Sequence, residues 1–186
     1  MTPDIQNHLS QFPHAAIQLY ENRLYGIWMI GNNYKRTANY YGSYPPLFLD
    51  RVYSLYPTAT SILHLFSGSL PPNTPGTRLD IQGSPDIKAN AKFLPFAPNS
   101  FDLVIADPPY SATDAKRYKT SNPSSATVMR ELHPMCSKNA TVIWLCTNPP
   151  LYRKTQWSLS GIIGLHVGTN KRFRAVIIMD KLDKKD

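Results

Sequence analysis

The strongest chemical signal is a four-residue turn that follows the apolar run FDLVIA (101–106): Asp107, Pro108, Pro109 and Tyr110. The run predicts a buried strand, so the turn would lie at its carboxyl end, where open α/β sheets bind their ligands. The two prolines have a fixed φ and no backbone donor, so the turn is stiff and offers acceptors. Asp107 and the Pro108 carbonyl would accept both hydrogens of an exocyclic amine, and Tyr110 would stack on a flat base.

An amine held by two acceptors in this way becomes a better nucleophile, because its lone pair is drawn out of conjugation with the ring. The sequence therefore predicts that Asp107, Pro108, Pro109 and Tyr110 are catalytic. The alternative is a rigid Pro-Pro turn in which the aspartate is simply a turn former. The strand before the turn and the segments upstream favour the functional interpretation.

Several further elements must position this turn. Short apolar runs bounded by turn residues predict strands, and a final pair joined by a turn predicts a C-terminal antiparallel hairpin. The predicted core strands are 61–66, 77–81, 86–90, 101–106, 140–146, 161–168 and 173–180, and a further short strand is predicted at 24–30 in the N-terminal region. The predicted helices are 46–56, with Leu47, Val52 and Leu55 on its apolar face, and 124–133. This pattern indicates an α/β fold with a mostly parallel sheet. Between the predicted strands 61–66 and 77–81, residues 67–76 are too few and too rich in proline for a helix. We therefore expect the connection between these two strands to be shorter than the usual helical crossover.

The composition sets the limits of the interpretation. The 186 residues suit a single domain, residues 1–186, with an aromatic and polar N-terminal region (1–45) before an α/β core (46–186). Seventeen prolines argue against a helical bundle. We see no apolar run of membrane-spanning length and no secretory signal. Cys136 and Cys146 form no CxxC pair, which indicates a reducing, cytoplasmic compartment and no metal site.

The turn Asp107–Tyr110 after an apolar strand resembles the catalytic motif of class I S-adenosylmethionine-dependent amino methyltransferases. This family includes DNA adenine-N6, DNA cytosine-N4 and related RNA enzymes, and the resemblance covers about residues 40–180. It implies a compact Rossmann-like methyltransferase fold and S-adenosylmethionine as the cofactor. The run LHLFSGS (63–69) resembles the family's first motif. By resemblance, the cofactor contacts are Tyr44, Pro45, Phe66, Ser67, Gly68, Asp80, Asn90, Ala91 and Asp107.

Three departures from the family pattern concern the cofactor. Leu70 stands where a second glycine is usual, the helix after the first strand is missing, and Asn90 replaces an acid. The asparagine oxygen can still accept a hydrogen bond from the adenine amine. These departures keep open a second class of protein, a nucleic-acid-binding module that has lost catalysis.

Positive charge is concentrated in the second half of the chain. Residues 111–174 contain ten lysines and arginines against two acids, which accounts for the whole net charge of +8. This distribution suits a polyanion such as nucleic acid, although a solvated surface is the alternative. The predicted substrate contacts are Lys116, Arg117 and Lys119 after the catalytic turn, and Lys171 and Arg172 in the hairpin turn, where Arg174 could add a phosphate contact.

These observations predict a methyltransferase acting on a base amine, with adenine N6 of DNA favoured. An RNA base methyltransferase is the first alternative, because fewer than forty residues separate Gly68 from Asp107 and leave no room for a target-recognition segment. On DNA, recognition would have to come from loops, a homodimer or a specificity partner.

Overall fold

The computed structural model describes residues 1–30, 44–117, 123–167 and 172–183. Within these ranges a nine-stranded sheet has the order β1-β2-β8-β9-β7-β6-β3-β4-β5. The strands are β1 (Ala16–Tyr20), β2 (Arg23–Ile30), β3 (Ile62–Leu65), β4 (Thr77–Asp80), β5 (Ile87–Lys88), β6 (Phe101–Ala106), β7 (Cys136–Cys146), β8 (Trp157–Val167) and β9 (Arg172–Lys181). The helices are α1 (Ile5–Gln11), α2 (Phe48–Leu55), α3 (Ala112–Arg117) and α4 (Ser125–Met135).

The sheet is mixed, so the prediction of a mostly parallel sheet was wrong. Among its described strands, β1–β2, β7–β9 and β8–β9 pair antiparallel, and the remaining neighbours pair parallel. The predicted C-terminal hairpin is the β8–β9 pair. The β1–β2 hairpin was not predicted, although Glu21 and Asn22 both have positive φ (47° and 59°), as a two-residue hairpin turn requires.

The first crossover contains no helix, as its length and prolines predicted. Residues 66–76 connect β3 to β4 as an irregular loop. A buried arginine anchors this loop: Arg78 donates to the Leu70 carbonyl at 2.9 Å and pairs with Asp86 at 2.6 Å. Asp86 therefore has a structural role in this connection. Gly76 has a φ of 104°, and a Cβ there would lie 2.8 Å from the Ile62 carbonyl oxygen, so a side chain is excluded.

Two apolar clusters pack on opposite faces of the sheet, and β6 belongs to both. Leu103 and Ile105 face α2, whereas Val104 and Ala106 belong to the cluster that contains α4. This alternation is the period of two expected of a strand buried on both faces. Because all four side chains are fully buried, the residue that follows β6 has a well-defined position.

Helix α2 differs from its prediction at one position. Leu47 was expected on the apolar face, but it precedes the helix with a φ of 58°, and 55% of its side chain is exposed. Phe48, Val52 and Leu55 form the buried face. None of the helices in the described ranges is long and apolar enough to cross a membrane.

Candidate functional site

The predicted catalytic turn, residues 107–110, lies near the centre of the sheet, because β6 is flanked by β3 and β7, both parallel to it. The Asp107 amide donates to the Leu65 carbonyl at 3.4 Å, which joins the start of the turn to the end of β3. The Tyr110 hydroxyl donates a very short hydrogen bond to Oδ1 of Asp107. Pro108 is buried, and the other three residues of the turn are half-buried.

Burial is the main influence on the Asp107 carboxyl and raises its pKa to about 6. The hydrogen bond from Tyr110 and the positive charge of Arg174 act in the opposite direction. Arg174 is on β9, and its guanidinium carbon lies 4.9 Å from the centroid of the Tyr110 ring. On β7, burial and the negative charge of Asp107 together raise the pKa of the Cys146 thiol to about 12. At neutral pH the turn therefore presents a carboxylate beside a neutral thiol.

Tyr44, in the segment before α2, contacts the strand that leads into the turn 107–110. Its hydroxyl donates to the Ile105 carbonyl at 3.2 Å, and its ring stacks on Phe48 at a centroid distance of 5.4 Å. The Pro45 carbonyl accepts from the Phe48 amide at the start of α2. Burial, and then the charges of Asp107 and Asp80 with a contribution from Tyr53, raise the pKa of the Tyr44 phenol well above its usual value. Tyr44 is thus a neutral donor within electrostatic reach of both carboxylates.

The loop after β3 is held against the end of β4 by backbone and carboxylate bonds. Phe66 and Gly68 both adopt positive φ (62° and 55°), and the Ser67 amide donates to the Leu79 carbonyl at 3.1 Å. The carboxylate of Asp80 accepts the Gly68 amide through Oδ2 and the Gln82 amide through Oδ1, each at 2.9 Å. Asp80 therefore organises the loop without help from a helix N-terminus.

A small pocket lies beside Asp80. Its lining consists of Phe66, Leu79, Asp80, Ile81, Ala89, Asn90, Ala91, Lys92 and Pro123. The Asn90 side-chain oxygen accepts the Lys92 amide at 3.0 Å and keeps a lone pair for another donor. The Ser67 hydroxyl is buried and has no hydrogen-bond partner within the described part of the chain. A carboxylate, an amide, an aromatic ring and a free hydroxyl fit the polar and planar groups of S-adenosylmethionine.

The structure brings the predicted catalytic and cofactor residues to one edge of the sheet. They follow β3, β4, β5 and β6 or precede α2. The predicted substrate residues are placed less fully. Lys116 is exposed on α3, and the backbone of Arg117 and Arg172 lies in α3 and β9. Lys119 and Lys171 lie outside the described residues.

Two features of this site were not predicted. Arg174 was expected to contact phosphate from a hairpin turn, whereas the structure places it over Tyr110 and near Asp107. Only its position in a basic hairpin was visible in the sequence. The helix α3 follows the turn directly and begins where the Ser111 hydroxyl accepts the Asp114 amide at 3.0 Å, a capping signal of the kind that serine provides.

Comparisons with known proteins reveal a similarity of fold. The sequence matches no family model and no curated protein. The fold is similar to the crystal structure of TrmN from Thermus thermophilus, with a TM-score of 0.50 and 17% identity. The match covers 66% of this chain and 44% of TrmN, so the chain spans less than half of that protein's length. The similarity is one of fold: this protein has a Rossmann-like α/β fold built on a mixed sheet.

Proposed function

We propose that the protein is an S-adenosylmethionine-dependent methyltransferase that acts on an exocyclic amine of a nucleic-acid base, with adenine N6 of DNA as the favoured target. The observation that carries the proposal is the position of Asp107. Its carboxylate follows the central strand, has a pKa of about 6, and shares the neighbour Tyr44 with the pocket carboxylate Asp80. An acceptor for an amine thus lies near a pocket lined by a carboxylate, an amide and an aromatic ring.

The cofactor residues have separable roles in this proposal. Asp80 would accept hydrogen bonds from ribose hydroxyls through lone pairs that its two backbone donors leave free. Asn90 would contact the adenine amine, and the 66–68 backbone with the Ser67 hydroxyl would contact the methionine part. When bound, S-adenosylmethionine supplies a methyl group already activated by its sulfonium, so the chain's task is alignment.

The catalytic turn would hold and orient the target amine. In the described structure the Tyr110 hydroxyl donates a hydrogen bond to one carboxylate oxygen of Asp107. The target amine would replace this hydroxyl as the donor to that oxygen. Asp107 and the Pro108 carbonyl would then accept the two amine hydrogens while the Tyr110 ring stacks on the base. After transfer, the methylated amine is acidic and loses its proton to Asp107 or to water.

The deciding experiment is transfer of a tritiated methyl group to DNA and to RNA, followed by analysis of the labelled nucleosides. Labelled N6-methyladenosine from either polymer supports the proposed chemistry, and its deoxy form supports DNA. Label in protein or small molecules alone would contradict the proposal. Heat-treated enzyme and reactions without nucleic acid are the controls.

RNA is the second candidate substrate, and a specific observation favours it. Between Gly68 and Asp107 the chain is used by β4, β5 and their connections, without an inserted recognition element. Extruding a base from a duplex costs a few kcal/mol, whereas a looped RNA presents its bases at a lower cost. Label found only in ribonucleosides would establish this alternative.

The non-catalytic alternative predicts loss of cofactor binding. It is motivated by the helix-free loop 66–76 and by Asn90 in place of an acid. Isothermal titration calorimetry with S-adenosylmethionine distinguishes the two classes. Binding at micromolar concentration supports the enzyme, and no detectable binding together with retained nucleic-acid binding supports the module.

A further inference from the structure

We infer that Arg174 is a positioning residue of the turn 107–110: it fixes the orientation of the Tyr110 ring, and it supports the negative charge of Asp107. The inference rests on the proposed function, because it assigns Tyr110 and Asp107 to the target base. Arg174 lies outside the sequence motifs that carry the resemblance to the methyltransferase family.

The sheet topology explains how a distant residue reaches the turn. Strand β9 runs antiparallel between β7 and β8, so its first residues lie at the same edge as the carboxyl end of β7. Arg174 pairs with Leu165, and on the same face Val176 and Ile178 are fully buried. The arginine therefore ends a row of buried apolar side chains and is itself half-buried, which restricts its movement.

Arg174 makes a cation–π contact with Tyr110. The guanidinium carbon lies 4.9 Å from the ring centroid, within the usual range of about 6 Å. The contact therefore fixes the orientation of the phenol ring on which the base would stack. Lysine has the charge of arginine but not its planar group, so it would reproduce one part of this contact and not the other.

The charge of Arg174 also acts on Asp107. Two described groups act on this carboxyl: Tyr110 in the turn donates a hydrogen bond to it, and Arg174 on β9 supplies a positive charge. Asp107 in turn raises the pKa of Cys146 on β7 and of Tyr44 before α2, and Asp80 at the end of β4 also acts on Tyr44. Arg174 is the cation in this set, so its removal should make ionisation of Asp107 harder.

The test compares R174M, which removes the charge, with R174K, which keeps it, and with R130M as a control. Arg130 is an exposed arginine on α4, with 51% of its side chain accessible. The first measurement needs no cofactor: NMR titration of ¹³C-labelled aspartate carboxyls, with the Asp107 signal identified by its loss in D107N. We expect the midpoint to rise by about one unit in R174M and to stay near the wild-type value in R174K and R130M.

The second measurement is the kinetics of methyl transfer. We expect R174K to raise KM for nucleic acid about tenfold with a smaller change in kcat, because the base would stack on a Tyr110 ring that is held less firmly. R174M should lose turnover mainly below pH 7 and regain part of it at higher pH. An unchanged Asp107 titration in folded R174M would overturn the inference. If R174M does not fold, R174Q replaces it under the same criterion.

The proposed function and the role of Arg174 can be refuted separately. If the wild-type protein transfers no methyl group to nucleic acid, the proposed function is wrong, and with it the role of Arg174 in base binding. If the wild type is active but both Arg174 variants keep its KM and pH profile, the inference alone is wrong.

Discussion

The hydroxyl of Tyr44 donates a hydrogen bond to the carbonyl of Ile105 at 3.2 Å and so joins the segment before α2 to the strand that ends at the catalytic turn. The two residues are distant in the chain, and this bond connects the predicted cofactor segment to the predicted catalytic strand. If cofactor binding moves Tyr44, this hydrogen bond would also displace Ile105, which lies two positions before Asp107.

Replacement of the catalytic carboxylate gives the first prediction. Asp107→Asn should lower kcat at least about a hundredfold, because the neutral amide no longer polarises the target amine. The dissociation constant of S-adenosylmethionine should change less than about threefold. The measurements are tritiated-methyl transfer and calorimetry, with Asp50→Asn, an exposed acid on α2, as the matched control. Near-normal turnover in Asp107→Asn would remove this residue from its role.

The raised pKa of Asp107 predicts opposite effects of pH on activity and stability. Activity should increase through pH 6, because the ionised carboxylate is the required acceptor. The folded protein holds this proton more tightly than the unfolded chain, whose aspartates titrate near 3.8, so the carboxyl's contribution to stability is complete below that value and is lost as pH rises through 6.

Consequently, Asp107→Asn should be more stable than the wild type at pH 8, by on the order of 1–3 kcal/mol, and should lose that advantage near pH 4. Urea denaturation at both pH values measures the difference. Equal stability of the two proteins at pH 8 would show that burial does not penalise this carboxylate.

The buried histidine of α1 gives a third prediction. His8 is fully buried, and burial together with the nearby charge of Arg51 lowers its pKa to about 4. Between pH 6.5 and pH 4 the unfolded chain binds a proton that the folded protein resists, so this part of the stability should be lost as pH falls. Urea denaturation of the wild type and of His14→Gln should show the decline, whereas His8→Gln should show a smaller one. His14 is exposed and serves as the control.

Salt dependence should reveal which lysines contact phosphate. Lys116→Gln should weaken nucleic-acid binding and reduce the magnitude of the slope of log K against log salt by about one, because one phosphate contact is lost. Lys138 is also exposed, but it lies toward the start of β7, away from the catalytic edge, so Lys138→Gln should leave the slope unchanged. Fluorescence anisotropy at several salt concentrations makes the comparison, and equal slopes would exclude Lys116 from the interface.

Local patterns predicted the elements that carry the site. The run 101–106 became β6 with the same bounds, because a strand buried on both faces is a continuous apolar run. Local sequence patterns could not predict whether two neighbouring strands pair parallel or antiparallel. Strand β9 has the composition of any buried strand, and its antiparallel place between β7 and β8 depends on contacts between distant segments. The strand β1 was missed because it has only five residues and its side chains are mostly exposed.

The position of Arg174 in the candidate site could not be predicted from the sequence for the same reason. Its charge was visible in the sequence, but its contact with Tyr110 depends on the antiparallel β9. Asp80 and Asp107, by contrast, each directly follow or end an apolar run on a parallel strand, so their meeting at one edge followed from local pattern alone.

The helix-free connection after β3 also has an electrostatic consequence. A helix at this position would direct the positive end of its dipole toward the pocket. Here Asp80 and Asp107 place negative charge close to Tyr44, and the described loop 66–76 contains no helix. If the proposed cofactor binds here, this negative charge favours its sulfonium over the uncharged thioether that remains after methyl donation, so spent cofactor should compete weakly with fresh donor.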